Sequence, residues 1–373
     1  MRIFTLKIEN NKLRYILNIA VFSLIIGGFF ILARVIAPPE IIQSERRFPA
    51  KLPTISAKTI SSAEFMDGFE SFAADNFPLR EHLRTVHSLS LFGLFMQTDK
   101  NGLYFGAEGI GEFKPLNEDS VEQATDKIKT VADSLTGVNI YYAFIPDKSV
   151  YSLKKKPGFD PELAERLMTG APGMDEFSFI PLTDALNADS FYKTDIHWDQ
   201  TKIGSVLDRL GAVMDFKVDL SHYSMEYAGD FKGGYAGQLA LPTESDRLQY
   251  FDNPSLTALY LDEKTMTPVS APVYDISRFS GLDPYDFFLS GAQPLIILEN
   301  SAVALDRELY LFRDSFSSSL APLLASAYTK IVLIDLRYLD THTLNQLVEF
   351  KQGSDALFLY STLILNNASN LLM

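Results

Sequence analysis

The chain has 373 residues, 47% of them hydrophobic and 21% charged, which describes a folded protein with room for one large domain plus appendages, or for two domains. A net charge of −14 excludes nucleic acid as an expected partner, because phosphate binding needs a basic surface, and leaves polysaccharides, neutral metabolites and proteins. With no cysteine there is neither a disulfide nor a thiolate zinc site, which suits an exported protein.

The first distinctive element is "YILNIAVFSLIIGGFFILA", Tyr15 to Ala33, which is apolar throughout and carries no charge. As a helix it is about 28 Å long, the thickness of a bilayer's hydrocarbon core. Arg2, Lys7, Lys12 and Arg14 precede it; Arg34 follows, and Pro38 and Pro39 are expected to stop the helix. The basic tail predicts a cytoplasmic N-terminus and an extracytoplasmic body. A cleaved signal peptide would have a shorter apolar stretch and a small-x-small site, so we read an uncleaved, single-pass anchor in the cell membrane. The expected organisation is a cytoplasmic tail over 1–14, a transmembrane anchor over 15–34, a stalk with a helical lead-in over 35–98, and a main domain over 99–373.

Past the anchor, the proline-punctuated stretch to Ile60 reads as an extended stalk. Apolar residues then recur at helical spacing, with a break near Pro78, which predicts two helices around "DNFPLR". "KNGLYFG" predicts a tight turn into a short strand. "EDSVEQATDKIKTVADSLTG" predicts a capped amphipathic helix ending at Gly137, and "VNIYYAFIPDKSVY" the strand that follows it. The C-terminal third repeats this alternation. A strand at Leu309–Phe312 leads through a Ser-rich turn into a helix, "TKIVLIDLRYL" is a buried strand, "DTHTLNQLVEFKQG" a helix and "DALFLYSTLIL" a last strand. Short loops between alternating strands and helices predict an α/β fold, a parallel sheet with helices on both faces.

In such sheets ligands collect at the carboxyl ends of strands. Ser315 stands there, between a strand and a helix whose first N–H groups favour an oxyanion. Its bland reading is a helix cap. "TDIHW" adds Asp195 two residues before His197, the supporting half of a nucleophilic triad, beside the single tryptophan, Trp198. The other histidines lack metal-ligand spacing, "GDFKGGYAG" lacks the Gly-Lys-Ser/Thr of a phosphate loop and reads as a flexible turn, and no carboxylate pair stands out; no metal and no cofactor are expected.

"TDIHW" with "RDSFSSS" resembles the SGNH-hydrolase-like proteins of the alginate O-acetyltransferase group, and more closely the bacterial family named after its DHHW motif. "DNFPLR", "NGLYFG", "PDKSVY", "FKGGYAGQLA", "RDSFSSSLAPLLA" and "IDLRYLD" extend the likeness over most of the exported part. Ile196 stands where the family has a histidine, and Arg313 where SGNH esterases place glycine before Asp-Ser. The resemblance implies a circularly permuted, flavodoxin-like SGNH fold, because Asp195 and His197 precede the serine strand. It implies Ser315 as nucleophile, His197 as general base and Asp195 as orienter of the imidazole. One oxyanion donor would be the Ser315 N–H, with others near Arg337 and near Tyr360–Ser361. Trp198 has two readings, a sugar-stacking surface and core packing; Lys148 likewise, an anionic-glycan contact and a surface salt bridge.

The family relation further implies a membrane-anchored O-acetyltransferase that moves acetyl groups onto polysaccharide hydroxyls through an acetyl-serine, supplied by a membrane-bound O-acyltransferase. An acetyl esterase with the same triad, and a non-catalytic adaptor that binds glycan or the acyltransferase, are the alternatives.

Overall fold

The computed structural model describes residues 2–36, 39–152, 158–262, 265 and 267–372; Pro38 lies outside them. The chain divides into two compact units, one ending at Leu94 and one beginning at Phe95.

In the first unit, helix α1 (Arg2–Val35) runs past both ends of the expected anchor. Its stretch Lys12–Ala33 is long and apolar enough to cross a membrane. Three shorter helices follow: α2 (Ala57–Ser61), capped by Ser56; α3 (Glu64–Asp75); and α4 (Arg80–Leu89). The break between α3 and α4 falls at Pro78, whose missing N–H cannot continue a helix, and Leu79 there adopts a left-handed φ of 61°. The stalk is tied to this pair by ions. Arg47 donates to both carboxylate oxygens of the buried Asp75 at 2.6 Å each, and Arg80 to Glu45.

The second unit opens with the hairpin β1 (Leu103–Gly106) and β2 (Gly109–Glu112), entered through Asn101 and Gly102, both at positive φ as such a turn requires. Helix α5 (Glu118–Ser134), capped by Asn117, ends three residues before Gly137 and delivers into β3 (Asn139–Ile145). Then come α6 (Pro161–Gly170), β4 (Ser178–Phe179), α7 (Gly204–Met214), β5 (Ser224–Phe231), α8 (Gly234–Leu239), β6 (Asp246–Asp252), β7 (Leu256–Asp262), β8 (Thr267–Ala271), α9 (Ile276–Phe279) and β9 (Leu295–Asn300). The final run is β10 (Glu308–Arg313), α10 (Ser317–Leu324), β11 (Lys330–Ile334), α11 (Thr341–Leu347), β12 (Asp355–Ser361) and α12 (Thr362–Leu365). The last predicted strand is therefore divided, its end turning helical after Ser361.

Eight strands form one sheet in the order β4-β3-β12-β10-β11-β9-β7-β8, and β5 pairs with β6 separately. From β4 to β11 all neighbours are parallel, but β9 is antiparallel to both β11 and β7, and β7 to β8. The expectation of a wholly parallel sheet is corrected to a mixed one. Parallel neighbours need a crossover, usually a helix; between β7 and β10 the only helix among the described residues that is not a single 3-10 turn is the four-residue α9, so this half folds back on itself.

Alternation along the central strands builds two cores. Leu309, Leu311, Ile331, Leu333, Leu357 and Leu359 face one side and meet α7 and α10. Tyr310, Phe312, Val332, Ile334, Phe358 and Tyr360 face the other and meet α5, α6 and α12. A sheet covered on both faces exposes only its strand ends to a substrate, and Ser315 follows directly from the end of β10.

Candidate active site

Strand β10 ends at Arg313, and Asp314, Ser315 and Phe316 make the turn into α10. Asp314 is buried and braces that turn: one carboxylate oxygen accepts from Phe316 N–H at 3.1 Å, the other from Ser361 N–H at 2.7 Å, at the end of β12. Ser315 itself is half-buried. Its N–H has no protein acceptor among the described residues, which leaves it available to an incoming oxygen.

His197 meets this serine from a segment without regular structure. Its Nε2 lies 2.9 Å from Ser315 Oγ, and its Nδ1 lies 2.6 Å from Asp195 Oδ1. With Asp195 ionised, the ring proton sits on Nδ1, and Nε2 is left to accept from the serine hydroxyl. Asp195 and His197 are both buried, so this line of three side chains meets solvent chiefly at the serine end.

Irregular backbone at this depth has to be held by specific bonds. Trp198 explains its place next to the histidine: its indole N–H donates to Phe316 O at 3.0 Å and Ser319 Oγ at 2.9 Å, stapling the histidine segment to the first turn of α10. It is completely buried, so core packing is its role and a sugar-stacking surface is corrected. Tyr285 stacks flat on the imidazole, with ring centroids 3.7 Å apart and planes 6° from parallel, while Phe316 tilts against it at 4.9 Å. Burial holds the Tyr285 phenol well above its usual range, and its hydroxyl donates to Ser319 Oγ at 2.8 Å.

The carboxylate is fixed from the other side by "KGG". Gly234 N–H donates to Asp195 Oδ2 at 3.0 Å, and Gly233 N–H to Thr194 Oγ1 at 2.8 Å. A Cβ on Gly233 would lie 2.4 Å from Asp195 Cβ, so only glycine permits the approach. Asp246 accepts from Lys193 N–H, Thr194 N–H and Thr194 Oγ1 at 2.5 to 2.8 Å. The glycine pair that reads as a flexible turn is thus a clamp on the acid, and the doubled glycine after an aromatic strand is the signal for it.

Lys148 differs from both of its sequence readings. It is buried, and its ammonium donates to the carbonyls of Tyr192 at 2.6 Å and Asp195 at 3.1 Å, inside the loop that carries the acid. Burial pushes its pKa down to about 8, opposed by the nearby Asp195, Asp246 and Asp147. It is neither a glycan contact nor a surface salt bridge.

The expected further oxyanion donors are placed differently. The Ser361 N–H is taken by Asp314, and Tyr360 is fully buried with its hydroxyl enclosed. Arg337, partly exposed at the end of β11, is held by Asp335 through Nε at 2.8 Å and Nη2 at 2.5 Å. Arg313, just before Asp314 and Ser315, is wholly buried; its guanidinium donates to Asp314 O, Ser318 Oγ and Gln293 O and lies 3.9 Å from Asp335. Among the described residues no three His, Asp or Glu side chains cluster as metal ligands.

The chain is similar in fold to a DHHW family protein from Eubacterium siraeum DSM 15702. The TM-score is 0.59 at 17% identity, covering 74% of this chain and 97% of that one. Bacillus cereus PatB1, solved with a sulfonyl adduct, is similar at TM-score 0.55 and 16% identity, covering 71% and 96%. The O-acetyltransferase domain of Pseudomonas putida AlgJ is more distant, with TM-score 0.41 and 14% identity over 72% and 93%. No protein-family model matches the sequence, and no curated protein sequence matches it significantly.

Proposed function

We propose that this protein is a membrane-anchored serine acyltransferase that moves acetyl groups onto hydroxyls of an extracytoplasmic polysaccharide. The carrying observation is the continuous line from Asp195 through His197 to Ser315, at 2.6 and 2.9 Å. In this reading Ser315 Oγ attacks the donor's acyl carbonyl as its proton passes to His197 Nε2; the leaving group departs with that proton. The oxyanion is held by the Ser315 N–H. A sugar hydroxyl then gives its proton to Nε2 and attacks the acetyl-Ser315, which returns the free serine. Asp195 keeps the imidazole in the required tautomer and stabilises its charged form.

The chain order, with acid and base ahead of the nucleophile, fits a circularly permuted SGNH arrangement. The apolar stretch of α1, with basic residues before it, supports a cytoplasmic N-terminus and an external domain. In that place the acetyl supplier would be a membrane-bound O-acyltransferase.

PatB1, which shares the fold, carries a sulfonyl adduct. A nucleophile activated as described should accept one here. Treatment of the full-length chain with a sulfonyl fluoride, followed by peptide mass spectrometry, should place one adduct on Ser315. Ser315→Ala should lose both the adduct and polysaccharide O-acetylation in cells, at matched protein levels; a cap serine alone would cost only about 1 kcal/mol of stability. Acetyl release to water with no transfer to an oligosaccharide would mark an esterase instead. Full acetylation by Ser315→Ala would leave an adaptor.

A further inference from the structure

The unit ending at Leu94 has its polarity reversed. Ile42 is the only large hydrophobic residue buried there among the described residues, and the apolar clusters of the fold draw on nothing before Leu116. Several of its charges, by contrast, are turned toward one another: Arg47 with Asp75, Arg80 with Glu45, Arg84 with Glu81. On α4 the two sets are separated by face. Leu79, Leu83 and Val86, at i, i+4 and i+7, form one exposed stripe, while Arg80 and Arg84 lie about 100° around the helix. On α3, Met66 and Phe69 are exposed in the same way opposite Asp67.

An apolar surface of this density needs an apolar neighbour. The contact between Phe77, in the α3–α4 junction, and α1 indicates which. Its ring stacks on Phe29, centroids 5.0 Å apart. Phe29 is four residues inside the end of the apolar stretch at Ala33, about 6 Å along the helix. If that stretch spans a bilayer, as the anchor reading holds, the junction meets it at the depth of the lipid tails' outer edge.

We infer that α3 and α4 lie on the outer face of the membrane, with Met66, Phe69, Leu79, Leu83 and Val86 in the boundary between lipid headgroups and acyl chains. The occupant of the stripe is lipid, and exposed acids away from it, Asp67 on α3 and Glu81 on α4, are the helix pair's water-facing groups. The inference rests on the anchor reading. It makes this segment a lipid-seated base for the protein rather than an extended stalk.

The absence of cysteine from the chain gives a clean test. Full-length Leu83→Cys, Val86→Cys, Asp67→Cys and Leu24→Cys are each labelled with a nitroxide and reconstituted in phosphatidylcholine vesicles. Collision rates with oxygen, which concentrates in lipid, and with a water-soluble nickel chelate are then compared. Positions 83 and 86 should favour oxygen several-fold over Asp67→Cys, and Leu24→Cys should be the most strongly shielded from nickel. If 83 and 86 are as open to nickel as position 67 while 24 is shielded, the inference falls and the anchor stands. Nickel access at 24 overturns both. Shielding of 83 and 86 from both reagents means that protein covers the stripe, a second copy or a partner, and rejects lipid as the occupant.

Discussion

The two halves of the candidate site are built on different principles. Ser315 sits at the joint of a central strand and a helix, on backbone fixed by the sheet ladder to β11 and β12 and braced by Asp314. Asp195 and His197 sit on a loop outside the sheets, whose ends are joined by the bridge from Phe191 to Trp198. That loop is held by residues recruited from several distant places, among them Lys148, Gly233 with Gly234, Asp246, Tyr285 and, through Trp198, the first turn of α10. The position of Ser315 follows from the fold, whereas that of His197 follows from individual contacts. Single changes outside the triad should therefore damage the base half far more than the nucleophile half.

The largest such effect is expected at Gly233. Its φ of −73° is open to any residue, so only the close approach to Asp195 and Thr194 O, both at 2.4 Å from an added Cβ, forbids a side chain. Gly233→Ala must displace the acid from the imidazole, and a shift of about 1 Å in a catalytic group can cost about 100-fold in rate. Transfer should drop by that order, with about 1–3 kcal/mol lost from overpacking. Gly204→Ala, where an added Cβ meets nothing within 4 Å, is the control and should be neutral or slightly stabilising. Equal behaviour of the two variants would mean that the close approach of Gly233 does not set the position of Asp195.

A smaller effect is expected at Tyr285. Aromatic stacking contributes about 0.5–1.5 kcal/mol beyond area burial, so Tyr285→Leu should slow acyl transfer by about 2- to 10-fold. The loss should fall on kcat rather than KM, because the ring orients the base and does not meet the acceptor. Tyr285→Phe keeps the stack and gives up only the hydrogen bond to Ser319, and should recover most of the rate. A loss shared equally by the two variants would assign the effect to the hydroxyl.

This division also sets what the sequence discloses. The apolar runs of β3, β10, β11 and β12, the Asp-Ser turn and the Asp-x-His are local patterns, and a local pattern survives in a one-dimensional reading. The antiparallel half does not. "LTALYLD" and "LIILEN" look like buried strands of either direction, and their pairing depends on an excursion that carries no periodicity. Tyr285 lies within that excursion, so nothing in its neighbours points to the histidine. Lys148 is unreadable for a different reason. A lysine after Pro-Asp is expected in water, and only the loop's two inward-facing carbonyls, 44 and 47 residues away, make an interior place for it.

The last prediction uses that lysine to isolate the loop's electrostatics. The folded ammonium's pKa is pushed down to about 8 by burial, from a usual value of 10.5. Below pH 8 both folded and unfolded chains hold the proton, and the folded state bears the full cost of burying the charge. Between about 8 and 10.5 the unfolded chain still holds the proton while the folded one has released it, so unfolding binds protons and stability rises with pH. Tyrosines held above their normal range by burial, Tyr192, Tyr235 and Tyr285 among them, act differently: they stay protonated as the unfolded chain ionises, and lower stability above about pH 10. A difference measurement removes their contribution. Lys148→Met keeps the bulk and loses the titration, so the stability of wild type relative to the variant should rise from pH 7 to pH 9.5. The rise should be at most about 2 kcal/mol, from roughly 1.5 pH units at about 1.4 kcal/mol each, less where the neutral amine continues to donate to Tyr192 O and Asp195 O. Thermal unfolding of both full-length proteins in detergent across that range measures it. A gap that stays constant with pH would mean that Lys148 holds its proton throughout, and that the loop around Asp195 solvates charge far better than its burial implies.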